Sequence, residues 1–94
     1  MILKWQKNSE NEMCLRLDDG NTERNACVIK CIDGKYLLDG SIGKSVWYNH
    51  PLKANALEEA KAEVKKIYAN QLTESLQECL SQTKIYSDML AFLA

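Results

Sequence analysis

Four cysteines, a single histidine and one Gly-Lys-Ser triplet are the residues of this 94-residue chain best equipped for chemistry. Cys27 and Cys31 have three residues between them, a spacing that paired zinc ligands also use. A complete zinc site would need Cys14, Cys79 or His50 as well, and each of these stands alone in the sequence. In a secreted chain four cysteines would suggest two bridges, but the opening Met1-Ile2-Leu3-Lys4-Trp5 turns polar too early for a signal peptide. The expectation is a cytoplasmic protein whose thiols stay reduced and act as small hydrophobes, with no metal site.

Gly40-Ser41-Ile42-Gly43-Lys44-Ser45 ends like a phosphate loop, in which lysine and hydroxyl hold phosphate and Mg²⁺. The first glycine of that motif belongs at position 38, which is Leu, and Val46-Trp47-Tyr48-Asn49-His50-Pro51 is not the helix that should follow. His50 precedes Pro51, which biases it to an extended backbone, and no serine or cysteine forms a known nucleophile motif with it. Asp18-Asp19-Gly20-Asn21 lacks the spacing and the closing glutamate of a calcium loop. The remaining carboxylates fall in turns or on the polar side of a helix. No nucleophile with a nearby base emerges, so no catalytic residue and no cofactor is expected.

Composition narrows the classes further. Twelve Lys+Arg against thirteen Asp+Glu leave a net charge of −1, too balanced for a protein that holds nucleic acid by bulk charge. One nucleic-acid reading survives, with Trp47 and Tyr48 stacking on bases while Lys30, Lys35 and Lys44 supply the charge. Aromatic contact between sheet and helix is the stronger reading of Trp5, Tyr36, Trp47 and Tyr48. The length suits one domain over residues 1–94, and no apolar run approaches the roughly 20 residues of a membrane span.

These residues need elements to hold them. The first fifty contain all four glycines and both tryptophans, and no glycine follows Pro51. The pattern predicts an α+β fold: a three- to four-stranded antiparallel sheet over residues 1–50, then a long C-terminal helix or helix pair over 55–94 packed on one face. Ile2–Gln6 is a candidate strand, residues 7–11 a polar turn, and Met13, Leu15 and Leu17 alternate as a half-buried strand. Asp18–Arg24 is a polar loop. Asp33-Gly34 is a two-residue hairpin turn that sets Ile29 opposite Leu38 and Cys31 opposite Tyr36. The uncharged face with Cys27, Ile29, Cys31, Tyr36 and Leu38 should be the core face. Asp39-Gly40 and Gly43 should end the strand, leaving Val46–Tyr48 as a short extra strand or a packed connection.

Asn55 can cap a helix, with Glu58 three residues on. Leu57, Ala60, Val64, Ile67, Tyr68, Leu72, Leu76 and Leu80 then recur at three and four as one apolar stripe. Ser81-Gln82-Thr83 is a weak break, after which the spacing resumes. One unbroken helix of about 40 residues would measure about 60 Å, against a radius of gyration of about 12 Å for a compact chain of this size. Either the helix folds back or its excess length docks on another chain. Termini are usually polar, whereas Tyr86, Met89, Leu90, Phe92 and Leu93 are large and apolar. These five form the expected partner-binding surface. A homodimer is slightly favoured, on the view that the main helix already covers much of a small sheet.

The layout of short antiparallel strands followed by a helix opening Leu57-Glu58-Glu59-Ala60-Lys61, with Asp33-Gly34-Lys35-Tyr36 as the preceding hairpin, resembles that of small proteins carried by phages and prophages. The resemblance spans residues 12–72. It implies a non-enzymatic protein; some of these proteins block host defence nucleases by occupying a protein surface, as anti-CRISPR proteins do. The expected function is thus a protein-binding adaptor or inhibitor.

Overall fold

The computed structural model describes residues 1–93. Five strands, β1 (Ile2–Ser9), β2 (Glu12–Asp18), β3 (Glu23–Ile32), β4 (Lys35–Ile42) and β5 (Ser45–Pro51), precede one helix, α1 (Leu57–Leu93). The strands form a single antiparallel sheet in the order β1-β2-β3-β4-β5. The α+β class and the strand-then-helix order agree with the pattern, while the strand count exceeds the expected three or four. Ala94, the end of the expected helical segment, lies outside the described residues.

The β3–β4 hairpin follows its turn chemistry. Asp33 and Gly34 both have positive φ, 53° and 75°, as a type I′ turn requires. The register pairs Ile29 with Leu38 and Cys31 with Tyr36, and Cys27, Ile29 and Leu38 are buried on the face beneath α1. Elsewhere the strands outrun the sequence reading. β1 continues to Ser9, so the turn into β2 is only Glu10-Asn11, and the polar loop shrinks to residues 19–22 because Glu23 and Arg24 pair with Asp18 and Leu17. Val46–Tyr48 lies within a full strand along the edge of the sheet, where Pro51 at its end is tolerated because the outer side has no ladder.

Gly40 does not end a strand. It lies inside β4, opposite Trp47. A Cβ at this position would overlap the Tyr68 hydroxyl, so the bare backbone makes the notch into which α1 sets its tyrosine. The Tyr68 hydroxyl donates to the carbonyl of Ala26 on β3 at 3.0 Å, and its ring stacks on Trp47 with centroids 5.3 Å apart.

The helix starts close to the expected place by a different set of bonds. The Glu59 carboxylate accepts from the Asn55 N–H at 3.1 Å, and the Glu63 carboxylate accepts from the N–H groups of Lys53 and Ala54 at 2.9 and 3.0 Å. Glu58, the expected capping partner, instead pairs with Lys61. From there α1 buries Ala60, Val64 and Tyr68 against Cys27, Ile29 and Leu38, with Leu57 and Ile67 half-buried alongside.

Two expectations about the helix are corrected. Leu72 was expected beneath the sheet but is 55% exposed. Steps of four residues overshoot one helical turn by about 40°, so Val64, Tyr68, Leu72, Leu76 and Leu80 wind around the helix and leave the sheet side by Leu72. Nor does the helix break at Ser81–Thr83. The Thr83 hydroxyl donates to the Cys79 carbonyl at 2.8 Å, as that of Thr73 does to Ala69, so these polar groups are satisfied within the helix. The 37 residues of α1 span about 55 Å, the molecule is 59 Å along its longest axis, and its radius of gyration is 17.0 Å.

A double-mutant cycle tests the notch. Gly40→Ala should destabilise the fold by about 1–3 kcal/mol in chemical denaturation, because the added methyl meets a packed hydroxyl. Tyr68→Phe removes that hydroxyl, so the double variant should be more stable than the sum of the single losses implies. Simple additivity would mean that Tyr68 does not sit at Gly40.

Candidate functional site

α1 keeps contact with the sheet as far as the β4–β5 turn, where a Cβ on Gly43 would lie 3.3 Å from the Ser75 hydroxyl. Beyond it, Leu76 to Leu93 contain no buried side chain and reach about 27 Å past the sheet. The five residues expected to bind a partner all lie on this overhang: Tyr86 is 59% exposed, Met89 54%, Leu90 69%, Phe92 89% and Leu93 74%. Leu76, Leu80 and Ile85 extend the same apolar surface. The spacing puts Leu72, Leu76 and Leu80 in one stripe with the buried Val64 and Tyr68; the 40° drift of four-residue steps is the signal that separates them from that pair.

The alternative nucleic-acid residues do not form one surface. Lys30 and Tyr48 do meet, with the lysine Nζ 5.5 Å from the ring centroid. Trp47 faces the helix and stacks on Tyr68, while Lys35 and Lys44 stand at opposite ends of β4. The Lys30 charge is already compensated: its Nζ lies 2.7 Å from Asp39 Oδ2, and it also donates to the Asn49 side chain. The hydrogen bond to Asp39 raises the Lys30 pKa. Partial desolvation pushes the Asp39 carboxyl up, but the bonds from Lys30 and the Asn49 N–H outweigh it and hold the carboxyl below its ordinary value.

The sulfur atoms are dispersed. Cys27 and Cys31 share the helix-side face, Cys14 pairs with Val28 on the opposite face, and Cys79 stands exposed on the overhang. Cys14 is fully buried even so, and its thiol donates to Asn8 Oδ1 at 3.2 Å. Burial pushes the Cys27 thiol up to about 11. Among the described residues no three His, Cys, Asp or Glu side chains converge as metal ligands would. Gly43-Lys44 forms the β4–β5 turn and leads into a strand, so the helix that a phosphate loop requires is missing from that position. Among the described residues no helix is long and apolar enough to cross a membrane.

No family model, curated protein or solved structure matches the chain. The overhanging helix therefore stands on its own geometry as the candidate site, as an apolar surface with no partner among the described residues of the chain.

Two measurements test these placements. A thiol reagent should modify Cys79 rapidly in the native protein and Cys14 and Cys27 only on unfolding, with four thiols titrating in denaturant; rapid native modification of Cys27 would contradict its burial. Asp39 has a lowered folded pKa, so its contribution to stability is present above the unfolded value near 3.9 and fades as pH falls through the folded one. Asp39→Asn should lower stability at neutral pH and flatten the loss of stability below about pH 4. An unchanged acid limb would show that the Lys30–Asp39 pair contributes nothing.

Proposed function

We propose that this chain is a non-enzymatic protein-binding module whose working surface is the overhang of α1. One observation carries the reading: eighteen residues of helix leave the sheet with Tyr86, Met89, Leu90, Phe92 and Leu93 each more than half exposed. A contiguous apolar helix side held away from its own domain is a means of binding an apolar groove or another helix. Burying it costs little conformational entropy in the backbone, because the segment is already helical. The resemblance of residues 12–72 to small phage-carried proteins is in keeping with a non-enzymatic adaptor or inhibitor; it ends before the overhang, whose role rests on its exposure alone. The nucleic-acid alternative has less support, since Asp39 neutralises Lys30 and Trp47 is half-buried, stacked on Tyr68 against the core.

The test compares wild type with a Leu90→Asp/Leu93→Asp variant in affinity capture from the native host followed by mass spectrometry. The variant should stay folded by circular dichroism and lose the proteins bound by wild type. Retention of the same partners would remove the overhang from function. Polyanion binding with a steep salt slope would favour the nucleic-acid reading instead.

A further inference from the structure

The overhang carries a second pattern that its exposure alone does not explain. From Leu72 the helix repeats in alternating steps of four and three through Leu76, Cys79, Thr83, Tyr86, Leu90 and Leu93, the two-per-heptad seam of a helix that pairs with another helix. All four charged residues of this segment, Glu74, Glu78, Lys84 and Asp88, fall outside the seam. They also miss the six flanking positions, which are Thr73, Ser75, Leu80, Gln82, Ser87 and Met89. A second copy of the segment would therefore bury no charge and meet no like-charge repulsion.

The seam also has a defined direction relative to the sheet. Lys61 precedes Leu72 by eleven residues, which places the two about 20° apart around the helix axis. The Lys61 Nζ lies 5.7 Å from the ring centroid of Trp5 on β1. The seam thus looks toward the β1–β2 side of the sheet face, away from β5. There α1 leaves the face partly open: Leu3 is 50% exposed, and Trp5, Leu15 and Leu17 are only half-buried. Leu3 pairs with Leu17 at the end of the sheet beside the overhang. The view that one helix covers much of the sheet is corrected here.

We infer that two copies of this chain pair their overhangs antiparallel, each tail ending on the open corner of the other copy's sheet. The inference rests on the overhang being a protein-binding surface and names its occupant. Setting seam positions in alternating layers places Leu72 against Leu90 of the second copy, Leu76 against its Tyr86, and Cys79 against its Thr83, with the two-fold axis near Ser81. The antiparallel sense follows from where the surplus apolar residues lie. Ile85, Met89 and Phe92 fall outside the seam and on one side of the helix, and the earlier residues on that side are Ser75, Glu78 and Gln82. A parallel pair would leave this apolar end in water. The antiparallel pair lays it over Leu3 and Leu17, since the two-fold axis sets both sheets on the same side of the helix pair. The exposed apolar side chains so covered, at about 100 Å² apiece, remove about 800 Å² from each copy, the size of a standard stable interface.

Disulfide mapping in the full chain, in a Cys79→Ser background, tests the arrangement. Wild type should be a dimer by light scattering at high micromolar concentration. Leu3→Asp should weaken dimerisation at least tenfold while the monomer stays folded by circular dichroism. A mixture of Leu72→Cys and Leu90→Cys chains should give the mixed disulfide under mild oxidation, and neither chain alone should cross-link to itself. Self-cross-linking of Leu72→Cys would show a parallel pair and overturn the inference. A monomeric wild type would also overturn it; if the Leu90→Asp/Leu93→Asp variant still loses a captured partner, the protein-binding reading stands without it, and if it loses none, both fall.

Discussion

The seating of Tyr68 against Gly40 is the contact on which the rest of the architecture depends. It is the last fully engaged point of α1 on the sheet, and three interactions meet there: the bare backbone of β4, the Ala26 carbonyl on β3 and the Trp47 ring on β5. Because it ties three strands to one helix position, it fixes both the azimuth of α1 and the point along its length where support from the sheet runs out. Burial also raises the Tyr68 pKa, so the hydroxyl remains a donor at all ordinary pH values.

The proposed binding surface follows from a mismatch of lengths. Strands of seven to ten residues cover about 23–33 Å, and the helix that crosses them is about 55 Å long. The surplus cannot bury itself on its own sheet. Within it the Thr83 hydroxyl bonds to the Cys79 carbonyl and the charges lie on one side, but a rod of exposed leucine and phenylalanine is stable in water only at the cost of unburied apolar area. A partner would remove that cost, which is the physical basis for proposing the overhang as a binding surface.

Much of the fold was legible in short-range chemistry. Asp33-Gly34 dictated its turn, the turn dictated register, and the register placed Ile29 and Leu38 in the core. Features that depended on distant residues were not legible. Gly40 has the local signature of a strand end, and only the approach of a tyrosine 28 residues later in the chain shows it to be a contact. Trp47 and Tyr48 are adjacent in sequence, yet one enters the core and the other lies beside Lys30 in solvent. Cys14, between two apolar neighbours taken as the buried face, is the residue of that strand that loses all its exposure.

The sequence by itself determined the order of strands and helix, the central hairpin and its core face, and the presence of an apolar helical tail, because turn geometry and side-chain periodicity act over a few residues. Tertiary structure alone decided which apolar residues the fold could use. A spacing of four residues is apolar and helical at every step, but each step also turns the helix by about 40°. Whether Leu72 and Leu76 are core or surface thus depends on how α1 is clocked against the sheet and where the sheet ends, and the contacts that set both join residues far apart in the chain.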